Sequence, residues 1–530
     1  MSARFLRTAG FVLLCLTGLQ LIRAEDYLSY VAAVYEHRVL LNPEPRVLLE
    51  RRSALEHIDR NLRVFEEQAA AAARQGAQII VFPEDAIHGF NYTRASIAGY
   101  LETVPDPNEV TWCPCAEPDR FPDTEVLQRL SCMAHENRIF VVANMASRQS
   151  CDRSTDLHCP VDGRYQFNTN VVFSDNGTIV ARYHKQNLYF EAAFDAPPKS
   201  EYVTFTTPFA GRFGVFTCFD ILFREPAVTL VKDMGIRQIV YPTAWMNQLP
   251  LLAAVQFQRA FSHAAGVTLL AANIQASEYG MTGSGIFTPW DSIVHHDTEG
   301  NSGKLLVLRV PVLDPAFIGK SLDNARPTLV PFSVYSTNNL SSEEPGKAHV
   351  WPTSYKQSDV EYCHKDPECK ENADSPLTFT SIMMYDNFTL VPLQGNKGNL
   401  IICSGSLCCH LLFQRSHTDE FYALGVFNGL HVVHGTYYLE VCALVRCTGL
   451  HHSSCGGETE YAHTLVDFRL DGTFSTLHVF PGILGSGMNL EIPDHSGWES
   501  GGRFYISRRG MTTGLVTAML YGRLYEKDDV

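Results

Sequence analysis

Cys218 stands where an apolar run, Phe213-Gly-Val-Phe-Thr-Cys218-Phe-Asp-Ile-Leu-Phe223, turns polar. A run this rich in Val and Phe reads as a buried strand. The cysteine is therefore expected at the carboxyl edge of a sheet, where open α/β sheets carry their chemistry. Two further residues end similar runs: Glu84 follows Val81-Phe-Pro83, and Lys185 closes the arm Arg182-Tyr-His-Lys185. Pro83 fixes the backbone before the glutamate and offers the ladder no N–H. Attack of a thiolate on a carbonyl needs one group to take the thiol proton and another to neutralise the oxyanion that forms. Glu84 suits the first task, and Lys185 with the backbone N–H of Phe219 suits the second. Alone, each residue reads as a surface carboxylate, a solvated lysine or a structural thiol. Placed together at three strand ends of one sheet, they supply a base, a cation and a nucleophile.

The elements that must position them alternate. Tyr30–Tyr35 is a predicted strand, and residues 52–75 have helical spacing with Leu55, Ile58, Leu62 and Phe65 on one face. Strands follow at 78–82 and 139–143, the second after a helix around 125–135. Asp175-Asn-Gly177 is a tight-hairpin signal between strands at 170–174 and 178–183. After the Phe213 strand come a helix near 226–234, a strand at 238–241, a helix at 249–263 and a strand at 267–271. Such alternation predicts an α/β layered sheet. The rhythm breaks at about 312–375, and beyond 376 short strands dominate, such as Leu400–Cys403, Tyr437–Cys442 and Gly514–Tyr521.

At 530 residues, 45% hydrophobic and 19% charged, the chain is globular and long enough for two domains. Arg4 and Arg7 precede an apolar run from Ala9 to Leu21, and Ala24 precedes Glu25-Asp26, a secretory leader pattern over 1–24. Removing it takes Arg4, Arg7 and Arg23 away and moves the formal charge from -15 to -18. That acidity excludes a general nucleic-acid footprint. The charged end Tyr521–Val530 carries no hydrophobic tail, so no membrane anchor is expected and the mature protein reads as secreted and soluble. Asn91, Asn176, Asn339 and Asn387 head Asn-x-Ser/Thr glycosylation sequons. Fourteen of the fifteen cysteines lie beyond the leader, and eight fall between 363 and 455, the mark of a disulfide-stapled β domain. If Cys218 is free, thirteen remain and at least one more lacks a partner, with Cys113 or Cys115 the expected leftover. The adjacent pairs His295-His296 and His451-His452 suit a shared metal poorly, and no Gly-rich phosphate loop is present.

Pro83-Glu84, Tyr183-His-Lys185-Gln-Asn and Thr217-Cys218-Phe-Asp, in this order, resemble the Glu-Lys-Cys motifs of the nitrilase superfamily. Asp162–Thr169, Tyr241–Asn247, Met281–Gly285 and Tyr422–Gly425 are similar to its biotinidase and vanin branch, and Asn187–Asp195 and Trp245–Ala254 lean to the biotinidase side. Cys113 departs from either pattern. The resemblance implies a nitrilase-type α-β-β-α sandwich at 25–315, a linker or surface segment at 316–375, and a smaller, mostly β, disulfide-rich domain at 376–530.

It further implies a monomeric amidase acting on small molecules, biocytin and biotinyl peptides, through a thioester on Cys218. Glu84 is then the base and Lys185 the cation, with no metal and no organic cofactor. Glu191 matches a second glutamate of the superfamily and would orient Lys185 or the substrate. Trp245, Met246 and Asn247, after the next strand, are candidate pocket walls, with Phe219 at the oxyanion. Pantetheine hydrolysis by the same three residues stays open, and so does a non-catalytic, secreted biotin carrier.

Overall fold

The computed structural model describes residues 28–300, 302–318 and 378–528. The leader, Asn339, Cys363, Cys369 and most of the 316–375 segment lie outside the described residues.

Two sheets stack face to face in the N-terminal half. The first is built from β1 (Ser29–Arg38), β2 (Ile79–Val81), β3 (Phe140–Ser150), β4 (Arg164–Phe173) and β5 (Ile179–His184), paired in that order. The second contains β6 (Thr204–Thr207), β7 (Gly211–Val215), β8 (Gln238–Pro242) and β9 (Thr268–Ala272). Residues of β1 alternate between two cores. Ala32 and Val34 face the second sheet's Val215, Ile239 and Leu270, while Ala33 and Tyr35 face the helices. A strand buried on both faces has to be apolar throughout, which is why these runs stand out in the sequence.

Helices α1 (Arg51–Arg74) and α2 (Glu125–Asn137) cover the first sheet. Ala54, Ile58, Leu62, Phe65, Ala69 and Ala72 recur at helical spacing and are buried, and Phe65 stacks on Phe82 with ring centroids 3.9 Å apart. Truncating Phe65 to alanine would cost about 3–5 kcal/mol. Helix α3 (Ala254–Ala265) covers the second sheet. It starts later than its periodicity predicts, because Gln248 and Leu252 exchange backbone hydrogen bonds around Pro250 and close a turn there.

One expectation is corrected by this layering. Glu84 and Lys185 follow β2 and β5 of the first sheet, whereas Cys218 follows β7 of the second. The three residues meet across the sandwich rather than along one sheet edge. The runs before Glu84 and Cys218 read as buried strands and that before Lys185 as a hairpin arm, and neither reading says which sheet a strand joins.

The C-terminal half is a second sandwich, of seven and five antiparallel strands. Adjacent strand residues point to opposite faces, so Cys408 bonds outward to Cys403 while Cys409 bonds through the core to Cys442 on the facing sheet. Cys447–Cys455 closes a loop, and Cys115–Cys132 and Cys151–Cys159 staple the first half. Cys113 and Cys218 are free thiols. The strand Val479–Gly485 packs on α3, with Phe480 centred 5.6 Å from Phe257 and 5.8 Å from Phe261, so the two halves share a core. Among the described residues no helix is long and apolar enough to cross a membrane.

Candidate active site

Cys218 opens a short 3-10 turn, Cys218–Leu222, and is held at φ 46°. A non-glycine residue at positive φ is strained, and that strain has to be held by its surroundings. Asp220 Oδ2 accepts the Thr217 N–H at 3.0 Å and the Tyr183 hydroxyl at 2.6 Å, while its Oδ1 accepts the Asn187 N–H and side-chain amide at 2.9 and 2.8 Å. Tyr241 Oη donates to the Cys218 carbonyl at 2.7 Å. Burial, against these hydrogen bonds, pushes the Asp220 carboxyl up to about 6.

Glu84, Lys185 and Glu191 converge beside the thiol. Lys185 Nζ donates to Glu84 Oε1 at 2.6 Å and also to Glu191 Oε1. Asn168 Nδ2 donates to the same Glu84 oxygen and to Glu191 Oε2, both at 2.8 Å, and the N–H of Ala244 binds Glu84 Oε2 at 2.9 Å. Asn144 Nδ2 in turn donates to Asn168 Oδ1 at 2.5 Å and to Asn170 Oδ1 at 2.9 Å, and Asn170 reaches Thr217 Oγ1 at 2.8 Å. Buried amides thus tie the carboxylates of one sheet to the cysteine turn of the other.

Burial opposes the charge of Lys185, yet Glu191 and Glu84 hold its ammonium well above the usual lysine range. Burial, reinforced by the charge of Glu84, raises the Cys218 thiol well above its ordinary value, so the resting sulfur keeps its proton. Burial and then Glu84 and Glu191 raise the Asp85 carboxyl well above its ordinary value, against the pull of Lys185. A protonated thiol in reach of a carboxylate and a fixed ammonium is suited to attack a carbonyl as its proton leaves.

The cleft over Cys218 is walled by Tyr189, Phe219, Leu222, Trp245, Met246 and Leu252 from the first half and by Met384, Tyr385, His431, Val433, His434 and Tyr437 from the second. His434 is centred 3.9 Å from Phe190 and 5.5 Å from Tyr385. A Cβ on Gly435 would come within 3.0 Å of the Phe219 ring, so the loop approaches this closely only with glycine there. Of the ten described non-glycine residues with positive φ, Asp85, Phe190, Cys218, Met384, Tyr385 and His434 surround this site. Such clustering marks functional places more often than structural ones.

Of the expected wall residues, Phe219, Trp245 and Met246 face the cleft and Asn247 does not. Its Nδ2 donates to Gly280 and Thr282 carbonyls and its Oδ1 accepts the Ala254 N–H, so the amide joins a loop to the start of α3 and has no N–H left for a ligand. Sequence reasoning missed Asn144, Asn168, Asn170 and the individual residues of the C-terminal wall, although the resemblance implied that this domain packs near the pocket. Asn168 and Asn170, two positions apart in β4 and so on one face of it, were a signal for the first group. Among the described residues no three or more His, Cys, Asp or Glu are grouped to hold a metal. The sequon residues Asn91, Asn176 and Asn387 are exposed.

Residues 52–279 match the carbon-nitrogen hydrolase family and residues 377–528 the vanin C-terminal domain. The α-β-β-α sandwich with its β domain is that of an enzyme which hydrolyses carbon–nitrogen bonds in amides. Among curated relatives, a biotinidase of Bos taurus is 54% identical over 94% of this chain and 93% of its own, and one of Homo sapiens 52% identical over 94% and 90%. A pantetheinase of Canis lupus familiaris is 43% identical over 99% and 94%. The chain belongs to the biotinidase family of carbon–nitrogen hydrolases.

Proposed function

We propose that the enzyme releases biotin from biocytin and short biotinyl peptides, with Cys218 as nucleophile, Glu84 as general base and acid, and Lys185 as the cation at the oxyanion. The observation that carries the chemistry is the shared position of Glu84, Lys185 and Cys218 at one buried centre. The higher identity to biotinidases than to pantetheinases supports the substrate. So does the cleft: its walls are largely aromatic and aliphatic, and His431 is occupied by Asp386 and the Val433 carbonyl at 2.8 and 2.6 Å. That lining suits the sulfur-containing ring and alkyl chain of a biotinyl group, with Gln248 in the wall as a polar group for its cyclic urea.

The Cys218 proton passes to Glu84 as the sulfur attacks the biotinyl carbonyl carbon, and the carbonyl π electrons move onto oxygen. Lys185 has three donors, two of them on Glu84 and Glu191; the third and the Phe219 N–H are the groups for that oxyanion. Collapse of the adduct breaks the C–N bond, and Glu84 gives its proton to the departing lysine ε-amine. Water then loses a proton to Glu84 and attacks the thioester, biotin leaves, and the proton returns to sulfur. Glu191 keeps Lys185 oriented throughout. Five disulfides and exposed sequons support action outside the cell.

The test compares initial rates of biotin release from biocytin and cysteamine release from pantetheine, with Cys218→Ala beside the unaltered enzyme. Faster pantetheine turnover overturns the substrate, and an active Cys218→Ala enzyme overturns the nucleophile.

A further inference from the structure

Strand β8 runs out beside Cys218 and continues as Thr243-Ala-Trp245. Three groups of this segment bear on the cysteine and its partner carboxylate. The Tyr241 hydroxyl holds the Cys218 carbonyl, the Ala244 N–H holds Glu84, and between them the Thr243 hydroxyl faces the Cys218 sulfur. Thr243 is fully buried, and its Oγ1 makes no full hydrogen bond, its polar neighbours being the Cys218 sulfur and the Tyr241 hydroxyl that is already given to the Cys218 carbonyl.

A buried hydroxyl without a partner is costly, and valine would fill the same space without that cost. The resting thiol keeps its proton and is a weak acceptor, which accounts for the idle donor. A thiolate is a far better acceptor, and charge-assisted hydrogen bonds are the strong ones.

Resting on the reading of Cys218 as nucleophile, we propose that Thr243 is a further catalytic residue, whose hydroxyl donates to the Cys218 sulfur once the thiol proton has moved to Glu84. Thr243 makes and breaks no covalent bond; its O–H turns onto the sulfur. Acylation quenches the charge and frees the donor. When water cleaves the thioester the departing sulfur regains its charge, and the donor serves a second time. Glu84 and Lys185, the charged groups that face the same sulfur, are untouched by a change at 243.

The test uses the full chain with Thr243→Val and Thr243→Ser. Three quantities are read: the rate of iodoacetamide labelling of the Cys218 peptide from neutral to alkaline pH, kcat and KM for biocytin, and Tm. Thr243→Val is expected to move the labelling midpoint up by about one pH unit and lower kcat roughly tenfold at unchanged KM, with Tm not reduced. Thr243→Ser should behave as the unaltered enzyme. A valine variant with unaltered midpoint and kcat, or a serine variant as impaired as valine, overturns the assignment. Should the valine protein fail to fold, Thr243→Ala is read in the same way. Failure of the underlying reading looks different: Cys218→Ala would then turn over biocytin whatever stands at 243.

Discussion

Arg523, the last residue of the strand Leu515–Arg523, sets its Nε 2.8 Å from the carbonyl of Leu222, the last residue of the turn that Cys218 opens. The guanidinium is fully buried. It binds the Tyr438 carbonyl and Asp528, each at 2.6 Å, and lies over the rings of Tyr437 and Tyr525. The C-terminal domain thereby grips the turn that carries the proposed nucleophile. Arg523→Lys keeps the charge but not the planar fork, and should lower kcat/KM by roughly tenfold to a hundredfold through a displaced turn. Arg523→Met also strands Asp528 and should cost about 3–5 kcal/mol of stability, read by denaturant unfolding. A lysine variant with full kcat/KM would show that the grip does not reach the chemistry.

Asn168 bridges Glu84 and Glu191 with one amide nitrogen, 2.8 Å from each. Asn168→Asp replaces that donor by a third carboxylate between two others. It is expected to lower kcat by about a hundredfold or more and to move the acidic limb of the pH–rate profile to higher pH, since clustered negative charges hold protons more tightly. Asn168→Ala, which adds no charge, should lose roughly tenfold and keep the limb where it was. If both variants lose stability but share the unaltered profile, Asn168 is a packing residue only.

Much of this was legible in the chain because strands buried on both faces write themselves as apolar runs, and Glu84 and Cys218 each end one, while Lys185 closes the second arm of an antiparallel hairpin marked by Asp175-Asn-Gly177. Their meeting across two sheets was not legible, since an apolar run carries no address for its neighbour. Nor were the individual residues of the far wall of the cleft. Tyr385 and His434 lie far along the chain from Cys218, in a domain whose strands look like those of many disulfide-rich modules, and only tertiary packing brings them to the thiol. Asn247 misled for a local reason: an amide after a strand end is as useful for joining a loop to a helix as for holding a ligand.

Tyr385 and His434 test whether that far wall selects substrate. Both sit at positive φ, at 70° and 61°, and line the cleft that holds Cys218, with the His434 ring packed on Phe190 and Tyr385. Each touches the cleft and neither bonds to Glu84, Lys185 or Cys218. Tyr385→Ala and His434→Ala should therefore raise KM for biocytin, by roughly tenfold if one aromatic face is lost, and leave kcat within about twofold. Steady-state kinetics with biocytin and with a small aliphatic amide separate the outcomes. Equal losses on both substrates, carried in kcat, would place these rings in the chemistry instead.

Glu36 offers a pH test of the scaffold behind the site. Its carboxylate accepts Thr282 Oγ1 at 2.6 Å, the Gly283 N–H at 3.0 Å and Ser284 Oγ at 2.7 Å. Ser284 Oγ accepts the Asn273 N–H, and Asn273 Oδ1 holds the N–H of Trp245 in the cleft wall. Burial, against those hydrogen bonds, raises Glu36 from 4.5 to about 7. The folded state therefore prefers the protonated acid: its contribution is whole below pH 4.5 and is lost as pH rises through about 7. His37 works in the opposite sense, lowered to about 4 by burial, so its contribution is present above the ordinary histidine value and lost as pH falls through about 4. A comparison with Glu36→Gln cancels His37 and the other groups that do not touch Glu36, and leaves His295, whose Nε2 lies 3.9 Å from Glu36 Oε1, as the group coupled to it. The glutamine variant should gain on the unaltered protein by up to about 3 kcal/mol as pH rises from acid to slightly alkaline, measured by urea unfolding across that window. Parallel stability curves would mean that Glu36 takes its charge in the fold as readily as in water, and that its three hydrogen bonds offset the burial in full.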